Sequence, residues 1–198
     1  MIERFITEID ARWPPEEAEK VVLRVIGSTA LMLQAKYVRG TKDSDVFRTS
    51  AIDDALAERL MTLAGEGTDL HRRHRIYLQL VQSGIIFQRQ LVRWHPAELL
   101  NGKLRNFRIE VMSITDVVVS KLKRLHSNDM ADIEAMVDLG LLNHGDLLSC
   151  FLDAVDFTMD AKAADLPKYR ANFHRVERDV FGVDTPTEIE LPEWAENG

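Results

Sequence analysis

Asp43 and Asp45 stand two residues apart, downstream of a Gly27-Ser28 pair, in the order VIGSTAL and then RGTKDSDVF. Gly27-Ser28 ends a short β-branched run at residues 21–26 and leads into a predicted helix over 29–37. At a helix start the free backbone N–H groups and the dipole favour an anion such as a triphosphate. Glycine lets the backbone approach closely, and the Ser28 hydroxyl adds a donor. One helix and a loop later, Asp43 and Asp45 fall on a predicted strand over 43–47, where alternation puts both side chains on one face. Two carboxylates there make a hard-oxygen site suited to Mg²⁺ or Mn²⁺. Phosphate and metal side by side are what phosphoryl or nucleotidyl transfer requires. Taken singly, Gly-Ser is a turn and Asp-x-Asp a solvated strand edge. Their order carries the chemistry.

A second group lies in the C-terminal half. Lys121 and Arg124 are three apart on one predicted helix, and Asp129 and Asp132 are three apart at the start of the next. Residues at that spacing are helix neighbours, and acids at a helix start are stabilised by the dipole. Two readings follow: a functional ionic group, or an ordinary interhelical pair of Lys121 with Asp132.

Periodicity supplies the elements that must position these residues. A helix is expected over 2–13, with Pro14-Pro15-Glu16-Glu17 opening a short second one. Strands are expected at 76–81, 85–87 and 107–112, with a Ser83-Gly84 turn, and a helix at 52–64 carries Leu56, Leu60 and Leu63 on one stripe. From Ser113 the chain reads as helical: 117–125 after a Ser113/Asp116 capping box, 129–139 capped by Asn128 and closed by Gly140, 143–159 capped by Asn143, and 167–181 opened by Pro167. The predicted class is α+β (mixed α/β). A small mixed-sheet core spans 1–112, a helical bundle spans 113–183, and an acidic tail spans 184–198.

Bulk properties set limits. The chain has 198 residues, 45% hydrophobic and 29% charged, enough for a real core. No apolar run reaches the ~20 residues of a membrane span, and the N-terminus lacks the pattern of a signal peptide. Cys150, the only cysteine, sits in an apolar stretch and reads as buried, and the six histidines show no metal-ligand spacing. A cytoplasmic location is the expectation. The net charge of −7 argues against a protein that coats nucleic acid. Residues 71–109 nevertheless hold eight Lys or Arg against one Glu, either a solvated surface or a local patch for a polyanion such as RNA. Trp94 and Trp194 read as flanking loops.

The segments GSTALMLQ and RGTKDSDVF resemble the first motif of the DNA polymerase beta nucleotidyltransferase superfamily, and are most similar to AbiEii-type nucleotidyltransferase-like proteins. SKLKRL followed by NDMADI supports that resemblance, which covers roughly residues 21–142. It implies a Mg²⁺-dependent transfer of a nucleoside monophosphate from an NTP to a hydroxyl, on an RNA end or a protein side chain. Asp43 and Asp45 would hold the metal, and Gly27, Ser28, Lys121 and Arg124 would bind nucleotide. Lys121 would contact phosphate, and Asp132, with Asp129 beside it, would support the active site. Some members are toxins of bacterial toxin–antitoxin pairs, which implies a possible antitoxin partner. The sequence departs from the pattern in two places. Ser44 stands where a larger apolar residue is usual. Gln79 stands on the strand where a third carboxylate is expected, with Glu110 and Asp132 as substitute bases. A catalytically degenerate nucleotide-binding or protein-interaction module of the same fold is the competing reading.

Overall fold

The computed structural model describes residues 1–14, 20–35, 37–82, 86–158, 164–192 and 195. The expected short helix after Pro14, the Ser83-Gly84 turn and Trp194 lie outside them. Two compact units form. One comprises Met1–Ile85 with Trp94–Ser113, and the other Ile86–Arg93 with Ile114–Gly198.

The first unit is built on a five-stranded mixed sheet of order β3-β2-β1-β5-β4, from β1 (Val21–Val25), β2 (Asp43–Arg48), β3 (Tyr77–Gln82), β4 (Trp94–Pro96) and β5 (Phe107–Met112). β1 lies antiparallel to β2 and parallel to β5, β2 lies parallel to β3, and β4 lies antiparallel to β5. Alternation governs burial. Leu23, Val25, Val46, Leu78, Phe107 and Ile109 are buried. The intervening Arg24, Asp43, Asp45, Phe47 and Glu110 are half-buried on the other face. Helix α2 (Gly27–Gln34) packs on β2 and β5, and α3 (Asp54–Ala64) packs on β3. In α3 the buried stripe is Ala57, Leu60 and Ala64, with Leu56 and Leu63 half-buried beside it.

Helix α1 (Ile2–Arg12) buries Ile2, Phe5, Ile6 and Ile9, each worth about 1.5–3 kcal/mol when fully removed from water. Its buried Asp10 accepts the N–H groups of Arg105, Asn106 and Phe107 at 2.8–3.1 Å, which ties α1 to the start of β5. Two pieces of this unit escaped periodicity. β4 is three residues long and ends at Pro96, tolerable because an edge strand does not need every N–H. The start of the basic stretch, His71 to His74, instead forms most of α4 (Asp69–His74), capped by the Thr68 hydroxyl and closed by left-handed Arg75. A four-residue helix, α5 (Glu98–Asn101), completes the unit.

The second unit packs α6 (Ile114–Lys121), α7 (Ser127–Asp138), α8 (His144–Asp156) and α9 (Leu166–Asp179). Of the apolar run expected as a strand at 85–87, Ile86 and Phe87 are not in a strand, and Ile85 lies outside the described residues. Phe87 belongs to this unit and sets its ring 5.6 Å from Phe151 and 4.7 Å from Tyr169. Arg89, two residues on, grips the buried Asp116 with two hydrogen bonds of 2.8 and 2.9 Å, and the Arg93 N–H adds a third at 3.1 Å. Cys150 is buried against the same carboxylate. Burial, reinforced by the Asp116 charge, pushes its thiol up to about 12.

Helix α6 ends earlier than its apolar period suggests: residues 122–124 form a turn and Leu125 lies in the left-handed region at φ 45. The α7 N-cap is His126 rather than Asn128, with Asp129 accepting the His126 N–H at 3.0 Å. Asn143 caps α8 as its type predicts, accepting from the Asp146 N–H at 2.9 Å. The acidic tail is pinned to α9: buried Glu177 accepts the Thr187 N–H at 3.2 Å, and Arg170 donates to the Ile189 carbonyl at 3.1 Å. Among the described residues no helix is long and apolar enough to cross a membrane.

Candidate active site

Gly27 is the first residue of α2 and has φ +63. A Cβ placed there would stand 3.1 Å from Asp45 Oδ2. Glycine is therefore demanded twice, by a left-handed backbone and by the close approach of a carboxylate. The β1–β2 pairing builds this contact. Val25 pairs with Val46, so the chain leaves β1 beside Asp45, and the Ile26 N–H donates to the Asp45 carbonyl at 2.9 Å.

Asp43 is placed from the other side. The Thr41 hydroxyl donates to the Asp43 carbonyl at 3.0 Å and lies 3.1 Å from its Oδ1, and the Thr29 hydroxyl reaches the same carbonyl at 3.4 Å. These two threonines were not singled out from sequence, although both lie inside the motif. Ser44, between the two aspartates, is buried on the helix side, as alternation requires. The parallel β2–β3 ladder pairs Asp43 with Tyr77 and Asp45 with Gln79. Burial first, then the charges of Asp43, Glu66 and Asp45, push the Tyr77 phenol up, so it stays a neutral donor beside the carboxylates.

The donor set suits a hard divalent ion shared with a nucleotide. Among the described residues no cluster of three or more His, Cys, Asp or Glu side chains could cage a metal. Mg²⁺ does not need such a cage, because it is commonly held by one or two carboxylates with substrate phosphates and water completing the shell. Replacing Gly27 by Ala is expected to weaken NTP binding at least tenfold, since the new methyl occupies the approach to Asp45 and the left-handed backbone costs a further ~1–2 kcal/mol. Titration with ATP and Mg²⁺ reads this. An unchanged affinity would remove the Gly27 turn from the site.

Glu110 is on β5, separated from β2 by β1, and is held by Arg24 at 3.1 Å and Arg108 at 3.4 Å. In the second unit Lys121 is buried, with Nζ 2.9 Å from Asp129 and 2.8 Å from the fully buried Asp132. This is the interhelical pair that the spacing allowed. Burial alone would raise the Asp129 carboxyl, but Lys121, Arg124 and the His126 N–H together hold it below its ordinary value. Arg124 reaches Asp129 at 3.1 Å with its side chain 64% exposed, so it is the cation of this group that meets solvent.

The 71–109 basic stretch is not one surface. Arg89 is buried on Asp116, Arg73 pairs with Glu8, Arg72 with Asp69, and Lys103 with Glu3. Arg108, which shares Glu110 with Arg24, joins the face that carries the aspartates.

A Gly-started helix set against an Asp-x-Asp strand in a mixed sheet puts anion-binding N–H groups beside two hard-oxygen donors in an α+β protein. The chain belongs to a nucleotidyltransferase family of unknown function, DUF6036, whose profile matches residues 4–179. No curated protein and no solved structure matches it.

Proposed function

We propose that the chain is a metal-dependent nucleotidyltransferase of the polymerase beta type. It moves a nucleoside monophosphate from an NTP to a hydroxyl acceptor and releases pyrophosphate. The observation that carries this reading is the apposition of Gly27 to the Asp45 carboxylate. It sets a helix N-terminus and a hard-oxygen donor side by side. The backbone at Gly27 and Ser28 cradles the β- and γ-phosphates, and Asp43 and Asp45 hold Mg²⁺ or Mn²⁺. When bound, the ion supplies charge neutralisation at the phosphoryl oxygens. Thr29 and Thr41 fix Asp43, and Tyr77 offers a neutral hydroxyl beside it. In the transfer, a bond forms between the acceptor oxygen and the α-phosphorus, the α–β bridging bond breaks, and the hydroxyl proton passes to solvent or a base. From the second motif we assign nucleotide contact to Arg124, which Asp129 holds and the buried Lys121–Asp132 pair supports through Asp129.

Incubation with each α-labelled NTP, Mg²⁺ and cell extract, followed by separation of RNA from protein, tests the reading directly. Labelled product that disappears in Asp45→Asn supports it. Absence of NTP binding overturns it.

One observation favours a second reading. Gln79, opposite Asp45 in register, occupies the position of a third carboxylate and cannot take a proton at neutral pH. A module that binds NTP and Mg²⁺ but modifies nothing would follow. Gln79→Asp is expected to tighten metal binding about tenfold, because affinity at such sites rises with ligand charge. Titration with Mn²⁺ measures it, and an unchanged affinity would place residue 79 outside the site. The AbiEii-type assignment, and with it a toxin role and an antitoxin partner, rests on the two sequence motifs. Growth arrest on induced expression, relieved by Asp45→Asn, is its test.

A further inference from the structure

Phe47, Trp94 and Arg24 form a group that nucleotide and metal handling leave unused. Phe47 lies two residues beyond Asp45 on β2, on the same face of the strand. Its ring centroid is 6.0 Å from that of Trp94, at 44°, and the Arg24 guanidinium carbon lies 5.1 Å from the Trp94 ring centroid. All three are half-buried, so each keeps surface that reaches solvent. The pairing register places the group. Arg24 pairs with Phe47, and Glu110 of β5 pairs with Arg24 on the far side.

The direction of the chemistry gives this position its meaning. Nucleotidyl transfer proceeds with the attacking and leaving oxygens roughly in line. With pyrophosphate leaving toward Gly27 and Ser28, at the C-terminal end of β1, the acceptor approaches from the opposite side of the α-phosphorus. Along β2 that side is the Phe47 row, about 6–7 Å beyond Asp45 at ~3.3 Å per residue.

Charge on this row matches a polyanion. Arg24 and Arg108 share one carboxylate, Glu110, and their side chains remain 38% and 56% exposed. Two cations on one anion leave net positive charge beside two aromatic rings. Aromatic rings for bases with cations for the backbone are the combination that binds single-stranded nucleic acid without reading its sequence.

We propose that Phe47 and Trp94 form the stacking platform for the terminal nucleobases of a single-stranded RNA acceptor, with Arg24 and Arg108 facing its phosphates. This inference rests on the nucleotidyltransferase reading and names the acceptor class for it. Fluorescence anisotropy with a fluorescein-labelled oligoadenylate six nucleotides long, and with an abasic ribose-phosphate chain of equal length, tests it. The oligoadenylate should bind at least tenfold more tightly than the abasic chain. Phe47→Ala and Trp94→Leu should each weaken oligoadenylate binding about tenfold, within the range that base–aromatic stacking is worth, and leave abasic binding unchanged. Trp94→Phe, which keeps a ring, should restore most of the affinity, and circular dichroism should show each variant folded. Equal affinity for the two chains, or unchanged oligoadenylate binding in both ring-removing variants, overturns the platform. ATP and Mg²⁺ binding, measured in parallel, separates the two levels. If it persists while oligoadenylate does not bind, or while extract protein alone becomes labelled, the RNA acceptor is wrong and the nucleotide site stands. If ATP binding is also absent, the nucleotidyltransferase reading itself fails.

Discussion

Asp45→Asn is expected to lower nucleotidyl transfer about 10³-fold while leaving the fold unchanged. Asp45 is half-buried, its main-chain oxygen already serves the Ile26 N–H, and its carboxylate stands against the Gly27 turn. Asparagine keeps the volume and one oxygen but removes one of the two charges that make the donor pair. Metal-assisted charge stabilisation contributes several kcal/mol in the transition state, and about 4 kcal/mol corresponds to roughly 10³ in rate. Asp43→Asn should behave alike, because Thr41 and Thr29 hold that residue through oxygens an asparagine retains in part. The measurement is single-turnover transfer at saturating NTP, with thermal unfolding as the control. Turnover within threefold of the unsubstituted protein, at unchanged melting temperature, would remove Asp45 from the chemistry.

The largest expected loss of stability falls on the buried ionic group of the second unit. Lys121→Met leaves Asp129 and Asp132 without the ammonium that lies within 3 Å of both. Removing one partner of a buried pair typically costs ~3–5 kcal/mol, because the remaining charge is stranded away from water. Arg124→Gln should cost no more than ~1 kcal/mol, since that guanidinium is mostly solvated. It should nevertheless weaken NTP binding if Arg124 meets phosphate. The contrast separates support of the fold from contact with ligand, and chemical denaturation beside NTP titration reads both.

The same group is expected to lower stability in acid. The Asp129 carboxyl is held below its unfolded value in the native state. Between those two values the unfolded chain binds more protons, so stability rises with pH. The contribution is complete above about pH 5 and declines as the pH falls through ~4 and below. Asp129→Asn should flatten that part of the stability profile. An unchanged profile would mean that other carboxylates set the acid limit.

Legibility differed by element, for physical reasons. Helix α1, strand β5 and the α8 cap were readable because apolar period and capping chemistry are local. Residues 86 and 87 misled for the same reason: an apolar run looks alike whether it joins a sheet or, as Phe87 does, fills a space between Phe151 and Tyr169. Strand β4 was too short and too close to Pro96 to announce itself. The 71–109 charge run looked like a patch because sequence counts cations without showing the acids, distant in the chain, that meet them. Glu8 lies sixty-five residues from Arg73.

By itself the sequence determined the ingredients of the site. A glycine and a serine at a strand end, a helix to follow, and two aspartates at strand spacing are properties of neighbouring residues, so they survive without a fold. Only the tertiary structure decided how these ingredients meet. The antiparallel β1–β2 pairing brings Asp45 against Gly27, and the parallel β2–β3 pairing sets Gln79 opposite Asp45. The sheet order keeps Glu110 two strands away from β2 and gives it to Arg24. Helix packing commits Lys121 to two acids. Each of these depends on register between segments far apart in the chain. A one-residue slip would turn every side chain of a strand to the other face, and what settles the register is the shared burial of the alternate apolar residues rather than any local signal.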